Sequence, residues 1–398
     1  MIGPPPHRDA VAKAAPFLTA ILVLWLGGIG LRITILAVPP VIPLIKDDLG
    51  ISATEVGILS GLPQVLFAAA AVPGSLLIAR FGALPTLIFG LLATAAGSAL
   101  RGAAPNILLL YAATIVTGFG VAVMQPSLPP LVRAWLPNRI GFGTAVFTNG
   151  LLVGEIIPVA LTLPLVLPLV GASWRLSFVA WALPIVTIAV VIFIFAPRVS
   201  IAGKPGAPLK WWPDWRSGLI WRLGLMFGSV NAMYFSTNAF VPIYLAQAGQ
   251  SDIVSPTLSA LNIGQLPASF LLLPFADRLV RKAWPYVVCG VLCLAAVLGM
   301  MSGHPHIIIA SAGLLGCAAA GVLVLIFALP PLLSAPDDVH RTAAAMMTIS
   351  YTCAVIVPII SGSLWDLSGA PVLAFVPIAL CAVMLMVVSG TLRIPLHD

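Results

Sequence analysis

PRVSIAGKPGAPLKWWPDWRSG, residues 197–218, is the longest stretch of this chain in which basic residues, prolines and tryptophans displace the aliphatic ones. It falls at the midpoint of 398 residues. Upstream of it, charged or Pro/Gly-rich breaks leave six apolar segments, at about 17–45, 56–79, 84–100, 107–132, 142–170 and 176–196. Downstream lie six more, at about 217–247, 257–276, 284–302, 306–333, 342–364 and 370–392. Each is close to or above the ~20 apolar residues that a helix needs to cross hydrocarbon. With 60% hydrophobic and 8% charged residues, and a mean hydropathy of +1.11, the chain is far more apolar than soluble domains. The sequence therefore predicts an all-α integral membrane protein with twelve transmembrane helices. Nothing alternates with the two-residue period of a membrane β-barrel.

The basic residues give an orientation, because cytoplasmic loops are enriched in Lys and Arg. Arg8, Lys13, Arg80, Arg133, Arg139, Arg198, Lys204, Lys210, Arg216, Arg222, Arg278, Arg281, Lys282, Arg341 and Arg393 fall on one side. Lys46, Arg101 and Arg175 fall on the other. Both termini are thus expected in the cytoplasm, with the first helix retained after the polar start MIGPPPHRDAVAKAAP. The formal charge of +7 follows from this topology and calls for no nucleic-acid partner. Cys289, Cys293, Cys317, Cys353 and Cys381 all lie within apolar segments, without disulfide or metal spacing. There is no G-x-x-x-x-G-K-[ST] loop to bind a nucleotide.

The two halves echo each other. SLPPL (Ser127–Leu131) ends the fourth segment as ALPPL (Ala328–Leu332) ends the tenth, and ARFG (Ala79–Gly82) follows the second as ADRLVRK (Ala276–Lys282) follows the eighth. Repeats of six helices point to a transporter with its site between the halves near the bilayer midplane. The expected division is 1–196, a cytoplasmic linker at 197–216, and 217–398.

On these features the chain resembles the major facilitator superfamily, whose loops after helices 2 and 8 carry an Asp-Arg-x-Gly-Arg-Arg-like motif. Asp277, Arg278, Arg281 and Lys282 match the second copy, with Val280 in place of glycine; Arg80 and Gly82 match the first, with Ala79 in place of the acid. The resemblance implies a gating role for Arg80, Gly82, Asp277, Arg278 and Arg281. Leu31-Arg32, GFGVAVMQPSLPPLVRAWLP (from Gly118) and YTCAVIVPIISGSLWDLSG (from Tyr351) resemble the cyanate and nitroimidazole transporter branch of that superfamily more narrowly.

Only two formal charges fall at mid-helix depth in this reading. They are Arg32 in the first segment and Glu155, within NGLLVGEIIP, in the fifth. Charge at that depth is costly, so it faces the bundle interior or water and is generally functional. A guanidinium offers forked donors to a planar anion, and Glu155 beside it is a protonatable partner. The alternative is a static buried pair that fixes packing. Asn231, Tyr234 and Asn238 share a face at helical spacing, as do Asn262, Gln265 and Ser269. Asn231, Tyr234, Asn238, Gln265 and Tyr351 therefore join Arg32 and Glu155 as candidate substrate contacts, while the third, sixth, ninth and twelfth helices lack such stripes and form a lipid-facing scaffold.

These readings converge on a monomeric secondary transporter of the inner membrane. It would carry a small anionic or weakly acidic solute by alternating access, with Glu155 as the proton-coupling candidate and no metal or cofactor. Proton-driven drug export in the same fold is the alternative. The resemblance counts against it: exporters of the superfamily usually have Gly-Pro in helix 5 and an arginine in helix 4, where this chain has Gly154-Glu155 and Thr114. An enzyme would need His, Asp or Cys clustered at one interface, and His304 and His306 are the nearest approach.

Overall fold

The computed structural model describes residues 17–51, 53–198 and 211–391. The N-terminal tail with Arg8 and Lys13, the linker residues Lys204 and Lys210, and Arg393 lie outside the described residues. Every regular element among those described is helical. We number twelve rods: α1 Phe17–Val41, α2 Ala53–Phe81, α3 Ala83–Gly102, α4 Ile107–Trp135, α5 Ile140–Leu169, α6 Trp174–Phe195, α7 Gly218–Gln247, α8 254–272, α9 Trp284–Met300, α10 Pro305–Leu333, α11 Pro336–Ser368 and α12 Pro371–Gly390. Among the described residues nine helices are individually long and apolar enough to cross a membrane. Of the other rods, α9 is apolar but has 17 residues, and α8 is interrupted at Gly264.

The packing repeats with a shift of six. Within the first half α1 lies on α5 and α6, α2 on α4, and α3 on α4 and α6. In the second, α7 lies on α11 and α12, α8 on α10, and α9 on α10 and α12. The halves meet where α2 packs on α11 and α8 packs on α5, and these two seams exchange under the same shift. Each half is therefore a copy of one six-helix design. The outer rods α3, α6, α9 and α12 carry exposed Phe89, Phe193, Val291 and Leu380 on their free faces, as a lipid-facing scaffold requires.

At the basic face the halves are closed. Arg133 at the end of α4 donates through Nη1 to the carbonyls of Pro331 (2.8 Å) and Ser334 (2.5 Å) beyond α10. Backbone N–H groups in the first turn of a helix have no intrahelical acceptor, and Asp277 Oδ1 meets this need by accepting from Phe142 N at the start of α5 (3.1 Å). In the other copy of the motif, Gly82 joins α2 to α3 with φ +92°, a left-handed backbone that a residue with a Cβ adopts at a cost. Arg80, Arg278 and Arg281 are on the same face, and all three are exposed.

Candidate functional site

The helix of α1 does not run evenly through its apolar stretch. After Gly30 the amides of Leu31 and Arg32 bond three residues back, to Gly28 O and Ile29 O, and a short helix Ile33–Leu36 resumes before the 3₁₀ turn at Pro39–Val41. Pro39 and Pro40 supply no amide donor, which favours the tightened backbone here. The irregularity sets Arg32 at the wall of a cavity of about 210 Å³. Leu36 and Pro39 of α1, Pro63 and Phe67 of α2, Glu155 of α5 and Tyr234 of α7 line it too. An adjoining recess of about 30 Å³ shares Arg32, Glu155 and Tyr234 and adds Asn231 and Gln265. The expected contacts on α1, α5, α7 and α8 thus converge on one place.

Arg32 is 8% exposed and is held from several directions. Its Nε lies 3.2 Å from Glu155 Oε1, in an ion contact without hydrogen-bond alignment. Its Nη2 donates to Tyr351 Oη at 3.1 Å, and its guanidinium carbon stands 5.7 Å from the centre of the Phe67 ring. Tyr351 in turn donates to Gln125 Oε1 (3.4 Å) and meets Phe67 edge-on. Tyr351 is fully buried and stands behind Arg32 instead of lining the cavity. It gives the guanidinium an acceptor from the other half of the molecule.

The remaining candidates are tied more locally. Tyr234 donates to Asn262 Oδ1 (2.6 Å), Asn231 donates to Ser350 Oγ (2.8 Å), and Asn238 turns to the Tyr234 carbonyl one turn back (2.9 Å). Tyr234 and Asn231 are at the cavity wall; Asn238 is absent from its lining.

Two participants are not evident from sequence. Asn149 accepts from Trp25 Nε1 (3.0 Å) and donates to Ser269 Oγ (3.1 Å), linking α1, α5 and α8. Arg101 corrects the expected topology: the distribution of basic residues assigns it to a membrane face, whereas it is fully buried and lines the large cavity beside Arg32 and Glu155. The expected third segment stops at residue 100, but α3 continues to Gly102 and carries Arg101 inward on its last turn.

Around Arg32 and Glu155 the backbones of α1 and α5 touch. A methyl group on Gly28 would overlap Phe147 O, and one on Gly150 would overlap Trp25 O. One on Gly154 would stand 2.5 Å from Ile29 O. This is the small-residue packing by which membrane helices approach closely.

A family model described as Major Facilitator Superfamily matches residues 24–263. The chain belongs to the major facilitator superfamily. The transporter is 27% identical over 374 residues to the cyanate transport protein CynX of Escherichia coli (strain K12), a match covering 93% of this chain and 96% of that one. It is 23% identical over 344 residues to the 2-nitroimidazole transporter of the same organism, covering 85% and 86%. Among solved structures, the proton:xylose symporter XylE superposes with a TM-score of 0.74 at 14% identity, covering 93% and 94%, which concerns the fold alone. The transporter is accordingly a multi-pass membrane protein, and its superfamily is one of carriers and not of enzymes.

Proposed function

We propose that this transporter is a secondary carrier of the inner membrane that moves a small anion or weak acid, of which cyanate and nitroheterocycles are the candidates, by alternating access. The observation that carries this reading is Arg32, a guanidinium at the wall of a small cavity with Glu155 at 3.2 Å. An arriving anion competes with Glu155 for the fork of Arg32. Protonation of Glu155 removes the competitor, so anion and proton bind together and travel in the same direction. The basic face is cytoplasmic, following the lysine and arginine distribution, and the closure by Arg133 and Asp277 then belongs to the cytoplasmic side. At about 210 Å³ the cavity is below the ~300–1,000 Å³ of pockets for drug-sized ligands, which favours a small solute over drug export.

Purified protein in liposomes loaded on an imposed inward proton gradient tests this with labelled cyanate and labelled 2-nitroimidazole. Wild type is expected to accumulate at least one. Arg32→Gln is expected to lose uptake, and Glu155→Gln to keep counterflow exchange while losing gradient-driven accumulation. Arg32→Gln transporting like wild type overturns the anion site, and undiminished accumulation by Glu155→Gln overturns the coupling.

A further inference from the structure

Arg101 has a different environment from Arg32. Its Nη1 donates to the carbonyl of Thr34 (2.8 Å) and its Nε to Thr114 Oγ1 (3.1 Å). The Thr34 carbonyl is available because the α1 backbone tightens there, where Val38 N–H turns to Ile35 O. The guanidinium carbon lies 5.8 Å from the Phe178 ring centre. Both hydrogen-bond acceptors are neutral, no carboxylate lies within ion-pair distance of Arg101 among the described residues, and Nη2 is buried without a partner. A guanidinium stays charged, and a buried charge without a counter-ion is unfavourable.

We infer that Arg101 is the residue that makes the empty cavity attract anions. The inference rests on the function proposed above and assigns its charge selectivity. Arg32 and Glu155 compensate one another across 3.2 Å, so while Glu155 is ionised their pair contributes no net charge to the cavity. Arg101 lines the same cavity, and among the described residues that line it, its charge is the one left without a carboxylate at ion-pair distance. The bound solute supplies the missing counter-charge, beside a guanidinium that is itself buried and so less screened than in bulk water. Arg101 thereby draws the anion in before Glu155 takes up its proton, and Arg32 receives it once the pair opens. Neutral solutes gain nothing from Arg101.

The test is equilibrium binding to purified protein at fixed ionic strength, with sodium cyanate and sodium formate as anions and 2-nitroimidazole, in its neutral form, as the uncharged probe. Arg101→Gln is expected to weaken anion binding by about tenfold or more, the order expected when a charge partner in a desolvated site is lost, and to leave the neutral probe within about twofold. Arg101→Lys keeps the charge and is expected to bind anions within about fivefold of wild type. In Arg101→Gln/Glu155→Gln the charge of Arg32 is uncovered, and anion binding returns. Arg101→Gln binding anions like wild type overturns the inference and leaves the proposed function standing, as does equal weakening for anions and the neutral probe. Wild type that binds 2-nitroimidazole but neither anion overturns the inference and leaves the proposed function standing, and wild type that binds none of the three overturns both. Should Arg101→Gln not fold, Arg101→Lys decides: retention of anion binding supports a role in charge, and loss beyond about twentyfold overturns it.

Discussion

The contact between Arg32 and Glu155 invites a stability experiment independent of any solute. At 3.2 Å, two unit charges attract by about 5 kcal/mol at an effective dielectric constant near 20, and the cost of removing them from water offsets much of this. Breaking such a pair by removing one member costs about 3–5 kcal/mol, because the survivor is left buried and unpaired. The two single substitutions are not equivalent here. Glu155→Gln leaves a guanidinium that cannot discharge facing neutral acceptors, Tyr351 Oη at 3.1 Å and the new amide oxygen, so it is expected to take the larger penalty. Arg32→Gln strands a carboxyl group, which can take up a proton, and its cost is expected nearer the ~1–3 kcal/mol of an unsatisfied buried polar group. Arg32→Gln/Glu155→Gln leaves two neutral amides and is expected to regain most of the loss. The measurement is reversible unfolding of all four proteins in mixed micelles without added anions. Single effects that sum to the double effect within ~0.5 kcal/mol would mark the sites as independent and refute the claim that the two charges hold one another.

Three further outcomes are expected. Tyr351→Phe keeps the ring edge-on to Phe67 but removes the acceptor from Arg32; anion affinity measured by titration should fall about tenfold to a hundredfold, the worth of a hydrogen bond to a charged group, and unchanged affinity would release Tyr351 from the site. Gly150→Ala places a methyl group against the backbone of Trp25 and should destabilise by about 1–3 kcal/mol in the same micelles, whereas Gly362→Ala, whose methyl group would meet the Phe240 ring at an ordinary 3.6 Å, should be neutral or slightly stabilising. Asp277→Ala removes the acceptor for Phe142 N, a loss of about 1 kcal/mol by analogy with helix caps, and should raise the labelling of a cysteine placed at Ser334 on the basic face.

Much of the scaffold is legible in the sequence because membrane burial imposes long apolar runs, and the echo of SLPPL by ALPPL discloses the repeat without any knowledge of packing. Arg32 and Glu155 stand out for a related reason: a charge in a long apolar run costs too much to be kept there without a partner or a role. The stripes of α7 and α8 identify Asn231, Tyr234 and Gln265 through helical spacing. What spacing does not give is depth within the bundle. Arg101 sits one residue beyond an apolar segment, where a lysine or arginine ordinarily reaches toward the headgroups. Its burial comes from two partners on other helices, the Thr34 carbonyl exposed by an irregular backbone and the Thr114 hydroxyl. Thr114, where the resemblance to exporters implies an arginine, receives a guanidinium from the neighbouring helix. Tyr351 is identifiable as a polar aromatic residue, but its place behind Arg32 depends on how the halves meet.

The glycine seam between α1 and α5 has a mechanical consequence. Because backbone rests on backbone at Gly28 and Gly150, these helices cannot slide past one another without collision, and Arg32 and Glu155 ride on a single stiff frame. The hydrogen bond from Arg32 to Tyr351 spans 319 positions of chain and ties that frame to the opposite half. Were the halves to part, the bond to Tyr351 would break together with the one from Asn149 to Ser269, whereas the pair with Glu155 lies within one half and would survive. Separating the halves would break hydrogen bonds and leave the charges together; opening the pair takes a competing ion or a proton.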